Sequence, residues 1–63
     1  MTIMEIDNKA RCTKRYERYI IDRNEYPTIQ DLRMLAGECM NDDVYLIRVY
    51  ENNEELFHTW NNK

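Results

Sequence analysis

The chain has 63 residues and a formal net charge of −3, with 43% apolar, 33% charged and 11% aromatic side chains. That length holds a single domain, residues 1–63, which buries only ~60% of the surface its unfolded form exposes, and the aromatic content suits a folded domain better than a disordered tail. The absence of Ser, with one Gly (Gly37) and one Pro (Pro27), excludes serine nucleophiles, glycine-rich phosphate loops and proline-rich ligands.

In chain order, Met1 to Asn8 contains acids and no apolar run of signal-peptide length, and no stretch approaches the ~20 apolar residues of a membrane span. The expected location is therefore cytoplasmic, with Cys12 and Cys39 as reduced thiols. From about Asn8 to Arg23 the spacing predicts a helix. Cys12, Tyr16, Tyr19 and Ile20 form one apolar stripe at helical period. Arg11, Arg15 and Arg18, flanked by Lys14, form a basic stripe on another face. Asp7 or Asn8 is available as N-cap, and Pro27 ends the helix by disfavouring helical geometry at Tyr26. A second helix is predicted over Thr28–Ala36. Thr28 and Asp31 approximate a capping box, Ile29, Leu32, Leu35 and Ala36 make an apolar stripe, and Gly37 supplies the stop.

Val44 to Trp60 admits two readings. As a helix it would place Leu46, Val49, Tyr50, Leu56, Phe57 and Trp60 on one side. As a hairpin turning at Asn52-Asn53 it sets Tyr45, Ile47 and Val49 opposite Trp60, His58 and Leu56, and Tyr50 opposite Glu55. Its β-branched and aromatic flanks favour the hairpin, although Glu51 then opposes Glu54. The expected fold class is α+β: two N-terminal helices packed on a C-terminal β-hairpin. The alternatives are an all-α three-helix bundle or a winged helix.

The segment from Tyr26-Pro27-Thr28 to Leu35-Ala36-Gly37, with the helix expected before it, resembles winged helix-turn-helix DNA-binding domains of the LexA-repressor type over residues 8–37. The resemblance implies a DNA-binding transcription regulator. Arg33 and Glu38 depart from the family's small and apolar residues. Met40-Asn41-Asp42-Asp43-Val44 is acidic where a recognition helix would meet phosphates, so no DNA contact is carried over to Asp42 or Asp43.

Catalytic signals are sparse. Asp42-Asp43 and Glu54-Glu55 are adjacent pairs that do not face each other, and general acid–base work needs convergent groups. Cys12, Cys39 and His58 make three soft ligands at no zinc spacing, one short of a closed site. No enzyme, metal or cofactor is expected. Residues 1–23 carry six basic residues against four acids, and residues 24–63 three against eight, a polarity that steers charged partners. The strongest candidate binding residues are the basic set Arg11, Lys14, Arg15 and Arg18 and the aromatic set Tyr45, Tyr50, Phe57 and Trp60, because Arg and aromatic side chains dominate binding hot spots.

The basic helix would also suit nucleic acid. The apolar ribbon exceeds what two short helices can cover, so a second copy or another protein is expected to cover it. The leading expectation is a small non-enzymatic regulatory protein that binds a protein partner and inhibits or modulates it. Its Asn/Asp/Lys/Glu/Tyr/Ile-rich, Gly/Pro-poor composition resembles small accessory proteins of large bacteriophages. A helix over residues 42–52 would favour DNA reading; a strand there would favour docking.

Overall fold

Residues 2–8 alternate Thr2, Met4 and Ile6 with Ile3, Glu5 and Asp7, the period of a strand with one apolar face. The computed structural model, which describes residues 1–9 and 15–61 with backbone alone for Arg15 and Tyr16, places this segment as strand β1 (Thr2–Asn8). Then come β2 (Arg15–Ile21), helix α1 (Ile29–Cys39), β3 (Val44–Glu51) and β4 (Glu54–Trp60). The strands form one antiparallel sheet in the order β2-β1-β3-β4. Helix α1 covers one face of it, burying Leu32 and Ala36 against Met4, Ile6, Ile21, Val44, Ile47 and Val49.

This overturns the expected pair of N-terminal helices, and with them the three-helix bundle and the winged helix. Residues 15–21 are strand, not helix. Tyr16, Tyr19, Ile20 and Ile21 suit a strand as well as a helical stripe, and β1 provides the pairing that decides between them: Thr2 faces Ile21, Met4 faces Tyr19 and Glu5 faces Arg18. A sequence stripe shows only periodicity, whereas a strand needs a partner found elsewhere in the chain.

Helix α1 starts as its sequence implies. The Thr28 hydroxyl accepts from the Asp31 amide at 3.1 Å, and the Asp31 carboxylate accepts from the Thr28 amide at 3.0 Å, a reciprocal capping box. It does not stop at Gly37. The helix continues to Cys39, and Met40 caps it by donating to the Ala36 and Gly37 carbonyls. Gly37 keeps negative φ. Leu35, Cys39 and Met40 all pack against the core, so the last turn gains burial by remaining helical.

The C-terminal hairpin turns at Asn52 and Asn53, whose φ values of 50° and 70° suit the mirror-image turn that Asn tolerates. Tyr50 faces Glu55 and Glu51 faces Glu54, but beyond them the register slips by one, so Val49 faces Phe57 and Leu46 faces Trp60. Leu56 is the extra residue of a β-bulge. The slip moves Phe57 to the helix face and puts Trp60 and His58 on the other. Glu51 and Glu54 coexist because Thr2 Oγ1 donates to the Glu51 carboxylate and the Arg23 guanidinium lies 3.7 Å from it.

Asn53→Val should lower stability by about 1–2 kcal/mol, since a β-branched residue resists positive φ. Asn53→Gly should raise it. Urea titration followed by circular dichroism checks both, and equal midpoints for the two variants would refute the turn assignment.

Candidate functional site

With α1 on one face, no helix of the described residues lies over the other face of the sheet, and the pairing register arranges it in three rows. The first runs Ile20, Ile3, Tyr50 and Glu55 across β2, β1, β3 and β4. The second runs Arg18, Glu5, Arg48 and His58. The third is Tyr16, Asp7, Leu46 and Trp60, in which Tyr16 is placed by backbone position alone.

The middle of this face is polar and internally neutralised. Arg18 Nε lies 3.4 Å from Glu5 Oε1, and Arg48 Nη2 lies 3.7 Å from Asp7 Oδ2. Partly exposed pairs of this kind each contribute at most about 1 kcal/mol. Their main effect is to hold long side chains flat along the sheet.

The two ends are apolar. At one, Ile20 is 71% exposed beside Ile3 and the half-buried Tyr50. At the other, a second bulge places Leu46 opposite Asp7 and Val44 opposite Asn8, leaving Tyr45 unpaired with β1. Released from the alternation, the Tyr45 ring meets Trp60 edge to face, with centroids 5.1 Å apart at 83°. His58 approaches Trp60 at 6.0 Å in the same manner. Tyr45 and Trp60 are 48% and 47% exposed, while Leu46 is buried at 2%. Asn61 fixes the end of β4 by donating from its side chain to the Val44 carbonyl at 2.8 Å and from its amide to the Tyr45 carbonyl at 3.0 Å. The aromatic pair is thus anchored, half-exposed and flanked by charge.

The candidate residues do not form one surface. Tyr45, Trp60, Tyr50 and Arg18 belong to the helix-free face. Phe57 lies on the helix face, with the Arg33 guanidinium 4.8 Å above its ring. Arg11 and Lys14 lie outside the described residues, and Arg15 is described by its backbone only. Arg15 and Arg18 occupy positions of opposite pleat on β2, so the stripe expected of a helix does not form there. Sequence reasoning missed Ile3, Glu5 and Asp7 as members of this face, which the alternation in residues 2–8 could have revealed, and it placed Ile20 on the apolar stripe of a helix.

The acidic pairs do not converge: Asp42 and Asp43 lie in the turn before β3, where the Asp43 amide donates to the Asn41 side chain at 2.8 Å, and Glu54 and Glu55 open β4, with Glu55 3.4 Å from His58 Nδ1. Cys39 belongs to α1 and His58 to the helix-free face, so the sheet separates them. Among the described residues no three of His, Cys, Asp and Glu converge on a metal-sized space, and no helix is long and apolar enough to cross a membrane.

The helix face carries a cleft of about 580 Å³ between α1 and β2. Met4, Ile6 and Val44 form its floor, Leu35 and Cys39 one wall and Tyr19 the other. The Tyr19 hydroxyl donates to Glu17 at 3.1 Å. That hydrogen bond and then the carboxylate's charge raise the phenol's pKa. Burial, with a smaller contribution from Glu38, raises the Cys39 thiol.

No family model, curated protein or solved structure matches the chain.

Alkylation of Cys39 in a Cys12→Ala background should therefore reach half its maximal rate at a pH above that of a free thiol, because less thiolate is present at any given pH. Glu38→Gln should lower that midpoint only slightly, since burial is the larger cause. A midpoint at or below the free-thiol value would show that Cys39 is not shielded in the cleft.

Proposed function

We propose that this chain is a small non-enzymatic regulatory protein of the cytosol that docks on a protein partner through the helix-free face of its sheet and inhibits or modulates it. The observation that carries this reading is the Tyr45–Trp60 pair: two interlocked rings, each about half exposed, on a face over which no helix of the described residues lies. Large amphipathic rings held rigid beside charged neighbours are the usual anchors of protein interfaces, because they bury much area for little lost side-chain freedom. A strand over residues 44–51 supports docking over DNA reading.

The described arginines add to this. Arg18, Arg23 and Arg48 each have a carboxylate within 4 Å, and Arg33 rests on Phe57. A phosphate backbone would have to compete with those partners, whereas a protein interface gains from a neutral, ordered polar belt between two apolar ends. The composition resembles that of bacteriophage accessory proteins, which supports a modulatory role.

Crosslinked pull-down from the native cell should capture a defined protein with the wild-type chain. Tyr45→Asp combined with Trp60→Asp should weaken capture by about thirtyfold or more, in line with ~2 kcal/mol for an aromatic anchor. Met34→Asp, on the exposed side of α1, should leave capture intact. Equal capture by the folded double variant would overturn the reading.

A further inference from the structure

We propose that the cleft between α1 and β2 is a second docking site, which seats one apolar side chain of a basic peptide segment from a protein partner and acts independently of the helix-free face.

The cleft follows from a mismatch of widths. Four strands at about 4.8 Å spacing make a face broader than one helix of about 10 Å can cover. On the β4 side of helix α1, Arg33 lies on Phe57 and a smaller cleft of about 160 Å³ remains beside Ala36 and Thr59. The shortfall is gathered on the β2 side as a cleft of about 580 Å³. That volume lies in the range of small-ligand sites and is ample for one large side chain. The floor and walls are apolar, and Tyr19, 46% exposed, offers a ring face at the mouth.

Charge complementarity identifies the occupant. Glu17, Asp22, Glu25 and Glu38 all line the cleft and are solvent-exposed, and its described lining includes no Lys or Arg. The described rim therefore gathers four carboxylates around an apolar interior. An acidic or neutral segment would leave these carboxylates uncompensated. A segment with Lys or Arg on either side of an apolar residue satisfies both features at once, the anchor in the cleft and the cations on the rim.

The test uses the full-length, isotope-labelled chain and three capped hexapeptides followed by amide chemical shifts: a central Trp flanked by lysines, the same with glutamates for lysines, and the same with Ala for Trp. The lysine–tryptophan peptide should shift Tyr19, Leu35 and Cys39 saturably. The glutamate and alanine peptides should bind about tenfold more weakly or worse. Glu17→Lys with Glu38→Lys should weaken binding about tenfold, while Glu54→Lys with Glu55→Lys, an equal change of net charge elsewhere, should not. The proposal is overturned if both double variants weaken binding equally, if the shifts fall on Tyr45 and Trp60, or if nothing saturates at millimolar peptide. Self-association that is lost with Glu17→Lys and Glu38→Lys would give the cleft to a second copy and overturn it as well.

Discussion

Among the described residues, one eleven-residue helix stands over a four-stranded sheet, and the surface chemistry follows from that disproportion. A sheet has two faces, and in water each must be covered, made polar or used. Here α1 covers most of one face with Leu32 and Ala36. The opposite face is made partly polar by Glu5, Asp7, Arg18 and Arg48, which hold one another in place. What neither device reaches are the two ends of the open face, where Ile20 and the Tyr45–Trp60 pair face solvent, and the cleft beside β2. The surfaces proposed for docking are the places where the helix layer falls short.

Arg23 secures this arrangement. Its guanidinium donates to the Tyr26 and Pro27 carbonyls and to Thr2 Oγ1, and it lies beside the Glu51 carboxylate. One planar donor fork thus joins the turn before α1, the start of β1 and the end of β3, which suits arginine better than lysine. The contact also resolves an apparent conflict at the hairpin. Glu51 opposite Glu54 would repel in isolation, but the first carboxylate is already committed to Thr2 and Arg23.

The sequence announced the elements whose signals are local. The capping box at Thr28 and Asp31, the apolar spacing of Leu32 and Ala36, and the Asn52-Asn53 turn all lie within a few residues of what they control. The first strand and its partner did not show themselves, because β-pairing is non-local. Tyr16, Tyr19 and Ile20 satisfy a helical period by coincidence, and only Thr2, Met4 and Ile6, many positions earlier, make the strand the better outcome. The two bulges were invisible for a similar reason. Extra residues at Tyr45 and Leu56 cost local regularity and are offset by contacts made elsewhere: Tyr45 with Trp60 on the neighbouring strand, and Phe57 with Arg33 of the helix. The aromatic half of the candidate site was legible as residue types, but its division between two faces depends on a one-residue slip.

The strand order has a consequence for how the chain is assembled. Strands β1 and β2 pair as neighbours in sequence, as do β3 and β4, but the two pairs meet only along β1 and β3, whose partners lie most of the chain apart. During synthesis the N-terminal pair is complete before β3 has emerged, so the inner margin of β1 stands open to any passing strand. Pulse-labelled exchange would read this as late protection along β1. In that interval Glu5 already faces Arg18 across the first pair. Asp7, whose partner Arg48 has yet to arrive, is the carboxylate left to discourage two nascent molecules from zipping together.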